Sequence, residues 1–298
     1  MTITTRPAET GRLMRQQPQK NLRMVIFALA ATLALQAWPW TPAPASVPKA
    51  QMLEDLHFRV EYLLWKDVAR AQLTLKSLGA GRYEAEISGE PLGMLKALSG
   101  KDRRESYRTE MIWRQGKLVP LIYREESLKR GKRSLKEYRF DYDQSRLELW
   151  QLKEGTGAMV RKWETAIKAP ITDPLSAFYN CRLGLLGPVE EGQTFKVSGI
   201  PYPAPEEIEV RIGPETKEGR KIMITINNKA FNNDRGVIFA YLDGNRVPKQ
   251  AWTSARVGTI SGELLPGGQA LNDRLLELPG RPPAGQTKDI SALSLNTR

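Results

Sequence analysis

Along Leu56–Trp65 (LHFRVEYLLW), Leu56, Phe58, Val60, Tyr62 and Leu64 fall on one face and His57, Arg59 and Glu61 on the other. A repeat of two residues marks a half-buried antiparallel strand. The same alternation runs through Ala71, Leu73 and Leu75. It resumes after the glycine turn at Gly79–Gly81 in Tyr83, Ala85 and Ile87, which predicts a three-stranded meander. Tyr107, Thr109, Met111 and Trp113 mark a further strand, and LVPLIYREES follows the turn Gln115–Lys117. Another strand carries Lys136, Tyr138, Phe140 and Tyr142, and the next Leu147 and Leu149. In the second half TFKVSG, EIEVRIG, KIMITIN, GVIFAYL, KQAWTSA and GTISGEL read the same way.

The period changes at two places. PLGMLKALS (Pro91–Ser99) predicts a short helix opening on proline. In ITDPLSAFYNCRLGLLGP, Asp173 is a good N-cap and Pro174 suits the first helical position. Leu175, Phe178, Tyr179 and Arg182 then sit at helical spacing, with Gly184 or Gly187 to end the run. Many short strands separated by turn signals predict a mainly β fold. The expected form is an antiparallel, strongly curved sheet, a barrel or half-barrel, with one or two short helices over an open end or face.

The N-terminal segment breaks this pattern. Arg6, Arg12, Arg15, Lys20 and Arg23 oppose only Glu9 and precede an apolar stretch, Met24–Leu35. Such a stretch makes about 18 Å of helix, short of the roughly 30 Å hydrocarbon core. Ala43-Pro44-Ala45 resembles a small-x-small cleavage site. Residues 1–45 therefore read as a signal peptide or N-terminal anchor and 46–54 as a linker. Residues 55–265 read as the β-rich domain and 266–298 as a flexible polar tail. The expected location is the periplasm, with attachment to the inner membrane through the N-terminal segment if that segment is not cleaved. Without it the chain keeps +8 of its +12 net charge. That charge favours anionic partners such as phospholipid headgroups or lipopolysaccharide. Export argues against nucleic acid. The oligomeric state is left open.

Candidate chemistry is sparse. Cys181 is the sole cysteine, so neither an intramolecular disulfide nor a cysteine-based zinc site is expected. His57 is the sole histidine and lies on a polar strand face. GTISG has its serine one place too late for a nucleophile elbow. GAGRYEAEISG lacks the third glycine of a dinucleotide loop. The reading is a non-enzymatic protein with no metal and no cofactor. Two groups remain as candidate sites. Lys129, Arg130, Lys132, Arg133 and Lys136, gathered around Gly131, suit contact with an anionic surface. The strand aromatics Tyr62, Trp65, Trp113 and Phe140 suit the lining of an apolar ligand cavity.

Four segments occur in a distinctive order: DPLSAFYNCR (Asp173–Arg182), GQTF (Gly192–Phe195), RVPK (Arg246–Lys249) and GTISGEL (Gly258–Leu264). Together with FRVEYLLW they resemble the bacterial domain of unknown function 3108, over roughly Leu56–Leu265. The resemblance implies an exported, β-rich domain without established activity. In that frame Tyr179 and Arg182, one helical turn apart, are expected at the barrel mouth. Arg182 would there bind an anionic ligand or pair with a carboxylate such as Glu263. The functional expectation is binding or carrying of an amphipathic anionic ligand, such as a lipid, a lipoprotein or a lipopolysaccharide-like molecule. The alternative is a structural or assembly factor of the cell envelope that acts through protein contacts.

Overall fold

Hairpin turns dominate the architecture, and their chemistry is regular. Ala80-Gly81, Gln115-Gly116 and Arg130-Gly131 each place two successive residues at positive φ, with glycine second. Turns of this hand match the twist of the strands that they join. In a computed structural model the chain divides into two compact units, Met1–Val47 and Pro48–Arg298. The structure describes residues 50–93, 96–97, 102–168, 170–200, 206–227, 235–255 and 258–271. The leader, residues 94, 95, 98 and 99 of the predicted Pro91–Ser99 helix and the tail after residue 271 lie outside the described residues. Gly93, Lys96 and Ala97 are helical, but Pro91 ends the strand Arg82–Pro91 instead of opening the helix.

The elements are β1 (Gln51–Tyr62), β2 (Trp65–Gly79), β3 (Arg82–Pro91), β4 (Arg104–Arg114), β5 (Lys117–Lys129), β6 (Lys132–Asp141), β7 (Arg146–Leu152), β8 (Met159–Ala166), β9 (Ile171–Thr172), α1 (Pro174–Arg182), β10 (Thr194–Gly199), β11 (Glu206–Thr216), β12 (Gly219–Asn227), β13 (Arg235–Leu242), β14 (Pro248–Ala255) and β15 (Gly258–Leu264). They form one sheet in the order β8-β7-β6-β5-β4-β3-β2-β1-β15-β14-β13-β12-β11-β10-β9. Two meanders thus meet where β1 pairs with β15. All pairs are antiparallel except β9 with β10. Flat, fifteen strands would span roughly 70 Å at about 4.8 Å each. The two edge strands, β8 and β9, are nevertheless joined by the link from Ala166 to Ile171, which reaches at most about 18 Å. The sheet must therefore curl strongly, and it stays open because β8 and β9 do not pair. The predicted mainly β, strongly curved architecture is the one found.

The helix fills the curl. Leu175, Tyr179 and Leu183 pack on Leu53, Leu56, Leu73, Leu75, Met111 and Leu118 of the first meander. Cys181 joins Ile208, Val210, Ile212, Ile222 and Leu242 of the second. A third cluster gathers Tyr123, Tyr138, Phe140, Leu147, Leu149 and Ile171.

Three boundaries differ from expectation. β1 starts at Gln51, inside the span read as linker, and Leu53 and Glu54 are wholly buried there. At the far end Gln269 bridges Asp55 and Leu271 is buried, so the domain runs past residue 265. β8 was not anticipated. Leu64, expected on the apolar face of the first strand, instead sits in the β1–β2 turn and is 94% exposed.

Candidate functional site

The distinctive helix begins with a buried carboxylate. Asp173 caps α1: Oδ1 accepts the N–H of Leu175 (2.9 Å) and of Ser176 (3.1 Å). Oδ2 accepts the hydroxyls of Ser176 and of Thr109 on β4, the latter at 3.0 Å. Burial pushes this carboxyl above its usual range, and the four donors pull the other way. One turn on, Tyr179 and Arg182 do not reach a barrel mouth. Both are buried, and both donate to Oε2 of Glu54, at 2.9 and 2.7 Å. Oε1 of Glu54 accepts the N–H of Leu271 (3.1 Å). The carboxylate partner expected for Arg182 is therefore present, but it is Glu54, while Glu263 pairs with Arg59 on the exposed face. At the other end of the helix Arg246 donates to the carbonyl of Arg182 (3.2 Å), which brings the RVPK segment to the helix terminus.

Asn180 reveals a fork in the sheet. β5 pairs with β6 only from Ile122↔Arg139 outward to Lys129↔Lys132. Below Ile122 the strands part, and β5 keeps only β4 as a neighbour. In the two-residue β4–β5 hairpin Arg114 and Lys117 face each other across the turn. The next residue, Leu118, consequently turns its own N–H and C=O away from β4. Asn180 takes both: the N–H of Leu118 donates to Oδ1 (2.9 Å), and Nδ2 donates to the carbonyl (2.7 Å). A helix side chain thus stands in for the missing strand. Pro120, which has no N–H to offer, fits a stretch of strand with an open side.

The fork leaves a cleft of about 620 Å³. Its walls include Ile112, Trp113, Leu121, Ile122, Phe140 and Tyr142, with Arg114, Arg139, Asp141 and Asp143 around them. Trp113 and Phe140, two of the predicted cavity aromatics, meet here. Phe140 stacks on Tyr142 at 6.2 Å between ring centroids, and the Arg114 guanidinium lies 5.5 Å from the Tyr142 ring centre. Among the described residues the buried Tyr142 hydroxyl has no hydrogen-bond partner. Burial and then the Asp173 charge push its pKa up, against the pull of Arg114, so it remains a proton donor. Arg139 and Asp141 have ionic partners in Glu137 and Arg146. Arg114 has no carboxylate within 4.0 Å among the described residues. The pattern of the sequence had placed Tyr142 on a strand and passed over Arg114. The available signal was Pro120, a proline inside an alternating run.

The remaining predicted residues lie elsewhere. Tyr62 and Trp65 pack edge to face, 6.4 Å apart, at the β1–β2 hairpin tip, where Trp65 is half exposed. In the basic run Lys132 pairs with Glu154 (2.8 Å), Arg133 with Glu126 and Lys136 with Glu125 (3.1 Å). Lys129 and Arg130 have no such partner among the described residues. His57 faces outward beside Asp55 (3.3 Å). It borders a second cavity, of about 410 Å³, whose arginines carry their own acids: Arg70 pairs with Asp67, and Arg104 lies 3.9 Å from Glu90. Ser261 of GTISGEL sits mid-strand in β15, paired with Glu61 and Trp252. Among the described residues no helix is long and apolar enough to cross a membrane. No group of three or more His, Cys, Asp or Glu there could hold a metal ion.

The family model described as "Protein of unknown function (DUF3108)" matches residues 57–264. No curated protein matches the chain. Among solved structures, a β-barrel-like protein of domain of unknown function DUF1849 from Brucella abortus aligns with a TM-score of 0.43 at 8% identity. The alignment covers 72% of this chain and 96% of that one.

Proposed function

The chain belongs to the DUF3108 family, and for this member we propose non-enzymatic binding of an amphipathic, anionic molecule in the β5–β6 cleft, outside the cytoplasm. The observation that carries the reading is the Tyr142 hydroxyl, a buried donor without an acceptor among the described residues, beside an arginine without a carboxylate among them. A buried polar group left unpaired costs about 1–3 kcal/mol. An incoming oxygen that accepts from Tyr142 and Arg114 together recovers that cost. Trp113, Phe140 and Leu121 supply the apolar wall for the rest of the ligand. A volume of about 620 Å³ lies within the usual range of small-molecule sites. The basic, apolar leader pattern, Arg6 to Leu35, supports export.

The test is native mass spectrometry of the protein expressed with its own leader and isolated gently. A discrete adduct of lipid mass, lost in Arg114→Gln, is the expected result. A bare chain in both would overturn the reading. An assembly role through protein contacts has one observation in its favour. Among the described residues β8 pairs only with β7 and leaves a strand edge unpaired, with Val160 exposed on it. Arg161 and Lys162 on the same strand are the charges that blunt such edges, which weighs against that role.

A further inference from the structure

The β1–β2 turn breaks the chemistry of the other hairpins. Leu63 and Leu64 occupy its two central positions, with Leu63 at a φ of 54°. Glycine is the residue for the first position of such a turn, and a leucine there is strained. The side chains gain little burial in return: Leu63 is 59% exposed, Leu64 94% and Trp65 52%, with Ile260 of β15 beside them at 38%. The sequence thus places two water-facing leucines, the first of them at positive φ, where folding alone would favour glycine.

Strand direction settles what shares that end of the sheet. β1, β3, β5 and β7 run one way, so the β1–β2, β5–β6 and β7–β8 turns all lie together. The β5–β6 turn stands four strands from the β1–β2 turn, roughly 19 Å along the sheet. Most acids there are already engaged: Asp67 by Arg70, Glu154 by Lys132 and Glu126 by Arg133. Asp102 gives both oxygens to the N–H groups of Arg130 and Gly131. Lys66, Lys129, Arg130 and Lys153 have no carboxylate partner among the described residues.

We propose that this end is a docking face for an anionic phospholipid bilayer, with Leu63, Leu64 and Trp65 entering the interface and Lys66, Lys129 and Arg130 facing the headgroups. A single apolar insertion binds a membrane only weakly and a basic patch beside it strengthens the hold; both are here. Tryptophan suits the headgroup level. A two-residue tip is too small for the roughly 800 Å² per partner of a stable protein interface, whereas a bilayer receives it without a matched pocket. This face lies at the opposite end of the strands from the cleft, so either assignment can fail alone.

The test uses the full chain with Leu64→Cys carrying an environment-sensitive fluorophore. Cys181 does not compete, because it is buried and burial pushes its thiol up to about 11. Lys217→Cys, exposed in the β11–β12 turn at the other end of the strands and outside the cleft, is the control. Vesicles of phosphatidylglycerol with phosphatidylcholine are expected to shift the emission at position 64 to the blue and leave position 217 unchanged. Lys129→Gln with Arg130→Asn should raise the lipid needed for half the shift about tenfold. Neither change touches the core, since these residues are exposed. Emission at position 64 that ignores the vesicles overturns the proposal. So does a shift of equal size with phosphatidylcholine alone.

Discussion

Two tyrosine–arginine pairs in this protein make opposite use of the same chemistry. Tyr179 and Arg182 are sealed under the sheet and close on one carboxylate, Glu54. Tyr142 and Arg114 sit at the fork, where among the described residues the hydroxyl has no acceptor and the guanidinium lies against an aromatic face without a carboxylate. A buried charge persists in a fold when its partners are supplied, and the first pair is supplied completely. The second pair is complete only when something else contributes the acceptor. Side-chain type did not separate the two, since both were available as phenol and guanidinium. What separates them is whether the remaining hydrogen-bonding capacity is already taken.

The widest gap between the pairs should appear in stability. Glu54→Gln leaves Arg182 buried without its counter-charge and should cost about 3–5 kcal/mol in chemical denaturation. A loss under about 1 kcal/mol would mean that the sealed pair does not hold the helix. Next comes the helix residue that props the fork open. Asn180→Leu strips the partners from the N–H and C=O of Leu118 and should cost about 2–3 kcal/mol. Hydrogen exchange at the Leu118 amide should quicken with it, and an unchanged rate would contradict the strand-substitute role of Asn180. Arg114→Gln should instead leave the denaturation midpoint in place and weaken ligand binding by about 1.5–3 kcal/mol, read by titration calorimetry.

The acid limb of stability sharpens the contrast further. Asp173 has its folded pKa raised by burial. Its contribution is therefore fully present below the unfolded value near 3.8 and is lost as pH rises through the higher folded value. Glu137 behaves oppositely. Burial would raise it, but the bonds from Arg124 and Arg139 outweigh that and hold it below 4.5. Its contribution is present above 4.5 and lost as pH falls through the lowered value. Asp173→Asn should flatten the first trend alone, as seen in midpoints measured across the acid range. A curve identical to the unsubstituted protein would contradict the raised value.

Much of the sheet was legible because alternation is a local signal. Leu73, Leu75, Tyr83 and Ala85 announced a buried face, and the structure buries all four. Asp173-Pro174 announced the helix start for an equally local reason. β8 escaped because an edge strand is wet on most positions, and Met159–Ala166 has no clean buried face to advertise. The partner of Arg182 escaped because Glu54 is 128 residues away and lies in a stretch that resembles a linker. No periodicity reports a pairing of that separation. The cleft was half visible: Trp113 and Phe140 were marked as aromatics, but their meeting depends on β5 and β6 parting below Ile122. Register decides that, and Pro120 is its one trace in the sequence. Leu64 fits the apolar strand face by sequence because the alternation runs straight through the turn.

Titration of lysophosphatidylglycerol into Tyr142→Phe, beside the unsubstituted protein, tests the central claim most directly. Phenylalanine keeps the ring and removes only the unpartnered hydroxyl. The account predicts binding weakened about five- to tenfold, with a Tm no lower than before because no protein hydrogen bond is lost. Equal affinity in the two proteins would contradict it, and the cleft would then be a fold feature without a ligand.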